Sequence, residues 1–317
     1  PDPPGVTTLF QVIALITPVF LLILAGYWAR HSSFLAEGFW APAEKLGYWV
    51  LLPALIVDSL ATNDLTNDAG TFAVIIAITI IGLSVVTFLV SRFTSWAPGA
   101  TASVHQGTVR LNGLLAIAAT IALFGTEALP LLSIMVATWV PLSNGLSVYA
   151  YVRAQPGEGR SALSILSEVV KNPMIFAVIV GMTLNLIGAG PFIDQFFLFE
   201  LLGRAALPIG LLTVGAALNL AHLRSLGPRV GTALFLKLLA MPALVAWLCV
   251  FLNATPLTSA VAVLCACMPS SPSGYTIARH LQGDHELMAT IITAQTVLSI
   301  VTVTAWGIYA NSLLLSF

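Results

Sequence analysis

Apolar residues occur along this chain in long blocks that short polar connections separate. A helix needs about 20 mostly apolar residues to cross the hydrocarbon core of a bilayer. The pattern predicts ten such helices, called spans one to ten. In chain order they cover residues 8–30, 41–61, 70–91, 104–124, 128–150, 171–190, 200–220, 230–252, 256–283 and 286–312. The predicted fold class is therefore an all-α polytopic membrane protein.

Basic residues alternate between the predicted connections, so that most of them share one side of the membrane. That set consists of Arg30, Lys45, Arg92, Arg110, Arg153, Arg160, Lys171, Arg224, Arg229 and Arg279, and Arg204 is the exception. Because Lys and Arg are enriched on the cytoplasmic side, both termini are predicted to be extracytoplasmic, in a cell (inner or plasma) membrane. No basic residue precedes span one, which is therefore predicted to be retained and not cleaved as a signal.

The centre of span nine carries the sequence PSSPSG at 269–274. Proline removes an amide donor and clashes with the preceding helical turn. Irregular backbone at membrane depth survives only inside the protein or beside a water-filled cavity. Span nine is therefore predicted to be two half-helices, about 256–268 and 275–283. A proline kink in a lipid-facing helix is the simpler alternative.

A polar stretch at 152–170 divides the chain into two sets of five spans. The prediction is a first repeat at 1–151, a cytoplasmic linker at 152–170 and a second, inverted repeat at 171–317. LLPALIVDSLA at 51–61 resembles ALPIGLLTVGAAL at 206–218, and span four carries RLNG where span nine carries its interruption. Interruptions at corresponding places in two halves indicate a transporter binding site.

Four motifs resemble the auxin efflux carrier family, and most closely its bacterial branch of malonate and other organic-acid carriers. They are KNPMIFAVIVGMTLNLIG, LPIGLLTVGAAL, LKLLAMPAL and MPSSPSGYTIARHLQGDHELMATIIT, which begin at 171, 207, 236 and 268. The resemblance implies a 5+5 inverted repeat of ten helices, related in fold to bile acid:sodium symporters. It also implies that broken helices four and nine cross at the midplane beside the substrate. The crossover positions correspond to Asn112, Pro269, Pro272, Ser273 and Gly274, although family members often have a proline where this chain has NGLLA at 112–116.

In this topology two helix N-termini meet at the crossing, and each carries partial positive charge and unpaired N–H donors. Such a place binds anions, and no acidic residue lies near either break in the sequence. The predicted function is secondary transport of small organic anions by alternating access. Malonate is the first guess, and other mono- or dicarboxylates or auxin-like carboxylates fit as well. The candidate substrate-binding residues are Asn112, Gly113, Asn144, Lys237, Ser270, Ser271, Pro272, Ser273 and Gly274.

Lys237 lies about 8 residues into span eight, roughly 12 Å deep at 1.5 Å per residue. It either snorkels to cytoplasmic water or serves as a counter-charge that holds an anion or shuttles a proton. Asp58, near the outer end of span two, is expected to face an outer vestibule. Four further polar residues are expected either to line the cavity or to form interhelical hydrogen bonds: Asn144, Ser147, Asn185 and Gln295.

Composition narrows the classes of function. Only 8% of residues are charged and 58% are hydrophobic, and the net charge of −1 argues against a nucleic-acid partner. Cys249, Cys265 and Cys267 suggest neither a disulfide framework nor a zinc site. No cofactor is predicted, and the partners are the substrate anion and the lipid bilayer. Coupling to protons, sodium or membrane potential stays open, as does homodimer formation.

Three other functions compete with this prediction. A sodium-coupled symporter of bile-acid-like or other organic anions is the nearest, although carboxylate ligands that would suit sodium are missing from the break in span nine. A channel is the second. An intramembrane serine protease built on Ser273 is the third, and it requires a histidine at membrane depth. The five histidines, His31, His105, His222, His280 and His285, are all expected at or beyond cytoplasmic span ends, so the chain is not predicted to be an enzyme.

Overall fold

The computed structural model describes residues 9–62, 68–155 and 173–315, and every regular element in these ranges is helical. The predicted linker at 152–170 lies outside the described residues from position 156 onward. The α-helices are α1 (Leu9–His31), α2 (Trp40–Leu46), α3 (Leu52–Thr62), α4 (Ala69–Phe93), α5 (Pro98–Val109), α6 (Gly113–Phe124), α7 (Leu129–Ala154), α8 (Pro173–Leu186), α9 (Gly190–Phe196), α10 (Leu198–Ala216), α11 (Pro228–Phe235), α12 (Met241–Phe251), α13 (Pro256–Ala266), α14 (Ser273–His280) and α15 (His285–Leu315).

Two π-helical turns connect helices that otherwise run on continuously. Gly47–Leu51 joins α2 to α3, and Leu236–Ala240 joins α11 to α12. A π turn widens the helix and is frequently found at functional sites. Lys237 lies on the second of these turns.

Within the described residues, eight helical segments are long and apolar enough to cross a membrane. The predicted sixth and ninth spans correspond to shorter apolar helices, α8 and α13. A multi-pass membrane protein is thus supported. The count of ten, the inverted repeat and the extracytoplasmic termini stay predictions.

The helices pack as two groups. In the first group, which comprises α1–α3 and α8–α10, α1 packs against α10 and α3 packs against α8 and α10. In the second group, which comprises α4–α7 and α11–α15, α7 packs against α4 and α5, while α13 packs against α12 and α15. These sets are called the first and second bundles. Helices from both halves of the chain contribute to each bundle.

Glycines allow α1 and α10 to approach very closely. A Cβ atom at Gly215 would lie 1.8 Å from the carbonyl oxygen of Ile23, and one at Gly26 would lie 2.0 Å from that of Leu212. Because these neighbours are backbone atoms that side-chain rotation cannot move, the interface accepts only glycine at both positions without rearrangement. The first bundle is therefore tightly packed at this contact.

Both predicted helix breaks are present. Helix α5 ends at Val109 and α6 begins at Gly113, and the interval between them is called the first break. Helix α13 ends at Ala266 and α14 begins at Ser273, and this interval is called the second break. The half-helices of span nine have 11 and 8 residues, two and one fewer than predicted, and the second begins at 273, before the predicted 275. The first half of span four begins at 98, before the predicted 104. The backbone N–H of Asn112 donates to the carbonyl oxygen of Pro269 at 2.8 Å. The two breaks therefore touch, and the kinked lipid-facing helix is excluded.

Candidate functional site

Asn112 ends one break and begins the helix that follows it. Its side-chain oxygen accepts a hydrogen bond from the Leu115 amide at 3.2 Å and so caps α6. Its side-chain nitrogen is buried and has no hydrogen-bond partner in the described part of the chain. The amides of Gly113 and Leu114 likewise have no acceptor among the described residues. Several N–H donors are thus left over at this helix start.

Hydrogen bonds with Gln295, which lies on α15, hold the second break in place. Gln295 accepts a hydrogen bond from the Ser270 amide at 2.9 Å and donates to the carbonyl oxygens of Gly107 at 2.8 Å and Ala233 at 3.3 Å. The Ser270 hydroxyl also donates to Gly107, at 2.8 Å. All these groups are buried, so the Ser270 side chain holds α5 and the second break together and does not face the cavity described next.

A cavity of about 470 Å³ lies between the two bundles at the crossing. Six of the nine predicted site residues line it: Asn112, Gly113, Asn144, Ser271, Pro272 and Ser273. Its walls also include apolar side chains from both bundles, namely Leu52, Ile56, Ile117, Val136, Trp139 and Val140. The lining also includes solvent-exposed residues near the end of α2, among them Glu44 and Lys45. The cavity therefore joins a polar crossing to apolar walls and a charged mouth.

Arg110 supplies a positive charge at the crossing itself. Its Nη1 donates to the side-chain oxygen of Asn144 at 2.7 Å, and its Nη2 donates to the Ser273 hydroxyl at 2.9 Å. Its Nε is buried and unpartnered among the described residues. Ser273 also shares a hydrogen bond with Ser271 at 2.9 Å. The guanidinium is thus held by neutral acceptors from α7 and α14, and part of its donor capacity is free.

The sequence-based placement of Arg110 at the cytoplasmic start of span four was wrong. The residue lies inside the break because α5 begins at Pro98, six residues before the predicted start of the span. The positive-inside pattern counted it with the loop arginines, since a charge near a predicted helix start resembles a loop charge. The clue was its position in RLNG, only two residues before Asn112.

The expectation that no acidic residue lies near the site also needs correction. Glu44 lines the same cavity as Arg110, although 66 positions separate the two in the sequence. Glu44 comes from the first bundle, whereas Arg110 and both breaks belong to the second. Only the packing of the two bundles brings this carboxylate to the cavity.

Two predicted site residues lie behind the cavity wall. A Cβ atom at Gly274 would lie 2.8 Å from the Met288 side chain and 3.6 Å from Cδ of Arg110. A side chain there would therefore crowd the end of Met288, whereas its contact with Arg110 would be an ordinary one. Lys237 is fully buried, with Nζ 3.1 Å from the sulfur of Met241 and 4.9 Å from the centre of the Trp139 ring. Its ammonium group does not snorkel to water.

Trp139 contacts Lys237 and also contributes to the cavity lining. Its indole N–H donates to the carbonyl oxygen of Val109 at 2.8 Å, which fixes the ring beside the first break. The ring also contacts the amino group of Lys237. This contact was not predictable from the sequence, because Trp139 looks like one more apolar residue of span five.

The histidine expectation was wrong for His105. It lies within α5, fully buried, with Nε2 2.9 Å from the Ser84 hydroxyl and its ring stacked on Phe88. Its hydrogen-bond partner is thus Ser84 and not Ser273, whose hydroxyl is engaged by Arg110 and Ser271. Among the described residues, the Ser273 hydroxyl has no histidine as a hydrogen-bond partner. Within the described residues there is also no cluster of three His, Cys, Asp or Glu side chains that suits a metal ion.

Of the other polar residues singled out in the sequence, one lines the cavity and three do not. Asn144 lines the cavity and accepts from Arg110. Ser147 is buried and donates to the Ser143 carbonyl oxygen within its own helix, at 2.6 Å. Asn185 is half-buried on α8, and Asp58 is half-buried near the end of α3. Neither of the last two lines the cavity at the crossing.

Sequence similarity agrees with this architecture. Residues 159–307 match a family described as "Membrane transport protein". An "Uncharacterized transporter" of Methanothermobacter thermautotrophicus is 27% identical over 296 residues, which cover 92% of this chain and 96% of that protein. Both matches point to a membrane transporter and not to an enzyme. The bacterial organic-acid branch stays a prediction.

Proposed function

We propose that this protein is a secondary carrier of small organic anions, which bind at the contact between the two helix breaks. The observation that carries the proposal is Arg110, held by Asn144 and Ser273 at the cavity wall with Nε unpartnered among the described residues. An arginine presents several donors in a planar fork that matches a carboxylate. The free amides of Gly113 and Leu114 lie on the same wall.

The guanidinium of Arg110 and the N–H groups at the start of α6 act together on an anion. A helix start carries partial positive charge and unpaired N–H groups, and Asn112 adds a buried side-chain N–H group that has no partner in the described chain. Buried donors that lack acceptors are costly. A bound carboxylate satisfies them and at the same time neutralises the guanidinium. A cationic substrate would be repelled by the guanidinium and would offer no acceptor to these N–H groups.

The apolar walls favour a substrate with one carboxylate and an apolar body. Leu52, Ile56, Val136, Trp139 and Val140 surround the space beyond the polar crossing, and a ligand gains by burying apolar surface against them. A dicarboxylate such as malonate would bring a second charge, for which Lys45 is the other basic side chain in the described lining of the cavity. Because most of the wall is apolar, auxin-like carboxylates suit it better than malonate does.

The position of the site between the two bundles supports alternating access as the mechanism. Both breaks, Arg110 and Asn144 belong to the second bundle, whereas Glu44 and Leu52 line the opposite wall on the first. Sliding the second bundle along the first would carry the anion across while the site stays assembled. Glu44 and Lys45 follow Arg30 in the chain, on the side that the charge pattern predicts to be cytoplasmic, so we infer that the cavity opens there.

Sodium coupling receives less support. The carbonyl oxygens of Gly107 and Ala233 would be natural sodium ligands beside the break. Both accept hydrogen bonds from the side-chain nitrogen of Gln295, so a cation would have to displace a donor. The sodium symporter therefore remains the second candidate.

Uptake into proteoliposomes tests the proposal. Radiolabelled malonate and phenylacetate would be offered under separately imposed sodium, proton and voltage gradients, with phenylacetamide and a quaternary amine as uncharged and cationic controls. We expect saturable uptake of a carboxylate and none of the controls. Uptake of the amine without uptake of any carboxylate would refute an anion carrier.

A further inference from the structure

Lys237 is a buried basic group without an anionic partner in the described chain. Its side chain is fully buried, and the groups in contact with Nζ are the sulfur of Met241 and the ring of Trp139. Neither is a strong hydrogen-bond acceptor. A charge buried without a partner is costly unless it is neutralised or paired. The residue is therefore poised between an amine and an ammonium ion.

The charged and titratable neighbours of Lys237 are few. The π turn that carries it packs against α5, α11, α12 and α15. These helices contribute His105, Arg229, Cys249, His285, Glu286 and Tyr309, and the facing part of α13 and its end contribute Cys265 and Cys267. The one carboxylate among them, Glu286, lies in the first turn of α15, 3.7 Å from His222. No described acidic group on these helices is thus placed to neutralise Lys237.

Trp139 links Lys237 to the cavity. Nζ of Lys237 lies 4.9 Å from the centre of the Trp139 ring, and Trp139 is also one of the residues that line the cavity. A carboxylate bound beside Trp139 would thus have only this residue between itself and Lys237. In a low-dielectric interior, charges at such separations interact strongly. An anion in the cavity therefore favours the protonated form of Lys237.

We propose that Lys237 is the group through which the carrier couples its anion to a proton. The amine is neutral when the cavity is empty, and it takes one proton from water when a carboxylate binds beside Trp139. The proton binds the nitrogen lone pair, and no other bond changes. Release of the anion on the other side of the membrane returns the proton to water. This inference rests on the proposed anion transport.

Thermodynamic linkage between proton binding and anion binding predicts how the anion affinity changes with pH. If one proton enters with each anion, the affinity for the anion falls roughly tenfold for each unit of rising pH over the range in which the empty carrier holds a neutral amine. Binding should also take up about one proton per anion in that range. A lysine with only a structural role would change neither quantity.

Titration calorimetry on the purified full chain measures this uptake directly. Phenylacetate, or malonate if only that anion is transported, would be titrated at one pH into buffers with different heats of ionisation. Wild type should take up about one proton per anion. Lys237→Met, which lacks a titratable group, and Lys237→Arg, which stays protonated, should take up none. Glu44→Gln, which removes the carboxylate of the cavity, should keep the uptake.

The outcomes separate the inference from the proposed function. Carboxylate binding by wild type without proton uptake, across the pH range in which the protein stays folded, overturns the role of Lys237 and leaves anion transport standing. Uptake that persists in Lys237→Met, or disappears in Glu44→Gln, assigns the proton to another group and overturns it as well. The comparison of wild type with Glu44→Gln needs no lysine variant, so it remains informative even if Lys237→Met and Lys237→Arg both fail to fold. Failure of wild type to bind or transport any carboxylate refutes the anion carrier itself.

Discussion

Replacing Arg110 by glutamine should weaken anion binding strongly while leaving the fold intact. Glutamine keeps a polar side chain of moderate length that can still reach one of the two neutral partners, Asn144 or Ser273. It removes the positive charge and the fork of donors. The helix breaks are held by other contacts, namely the Asn112 amide on Pro269 and the bonds of Gln295, so the crossing should persist.

The size of the effect follows from the donors that Arg110 has available. Nη1 and Nη2 each use one hydrogen bond on a neutral acceptor, and Nε is unused within the described chain. A hydrogen bond to a charged group contributes about 1.5–3 kcal/mol. Loss of one such bond to the carboxylate weakens binding about 10- to 150-fold. Arg110→Lys should recover part of this loss, because lysine restores the charge but not the fork.

Equilibrium binding of a radiolabelled carboxylate to the purified variants measures this loss. Arg204→Gln is the matched control, since Arg204 lies on α10 in an exposed ion pair with Glu200 and does not line the cavity. A neutral amide analogue should bind wild type and Arg110→Gln equally weakly. If Arg110→Gln changes carboxylate affinity by less than about threefold, the guanidinium does not hold the anion and the reasoning fails.

Three further predictions concern stability. Gly215→Ala should lower the melting temperature in detergent because its Cβ would meet backbone of α1, whereas Gly82→Ala, with open space around it, should not; equal melting temperatures would contradict the close approach. Gln295→Leu should cost about 1–3 kcal/mol in reversible denaturation by leaving a buried amide unpaired, and an unchanged stability would show that water or a neighbour replaces it. Hydrogen bonds from the Thr255 side chain and amide lower the pKa of Asp68 from its ordinary value of 3.8. Its contribution to stability is therefore complete above that value and disappears as the pH falls through the lowered native pKa. Asp68→Asn should flatten this part of the acid-stability profile, and an unchanged profile would contradict the assignment.

The breaks were predictable because their signals are local. PSSPSG cannot continue a helix in hydrocarbon, whatever surrounds it. Asn112-Gly113 combines a side chain that caps a helix with a residue of high backbone freedom. Both breaks lie within a few residues of the predicted positions. The contact between them was implied by family resemblance and not by any pattern in this chain alone.

The roles of individual side chains were less predictable because they depend on packing. Ser270 and Ser271 are adjacent in sequence, yet one bonds to the scaffold and the other lines the cavity. Glu44 and Arg110 meet in one cavity only through the contact of the two bundles. For Arg110 the charge pattern was misleading, since the pattern that identifies loops assumes that arginines avoid the membrane interior.

The hydrogen bond from Asn112 to Pro269 has a consequence for biosynthesis. The chain is made from its N-terminus, so the amide of Asn112 is synthesised long before its acceptor. The same delay applies to Gly107 and Ser270, which are 163 residues apart. Until the second half is inserted, these polar groups of the first half must be satisfied by water, by the insertion machinery or by temporary partners. The first five spans should therefore enter the membrane as an immature intermediate that a late segment of the same chain completes, and truncation before residue 269 should leave them a target for membrane quality control.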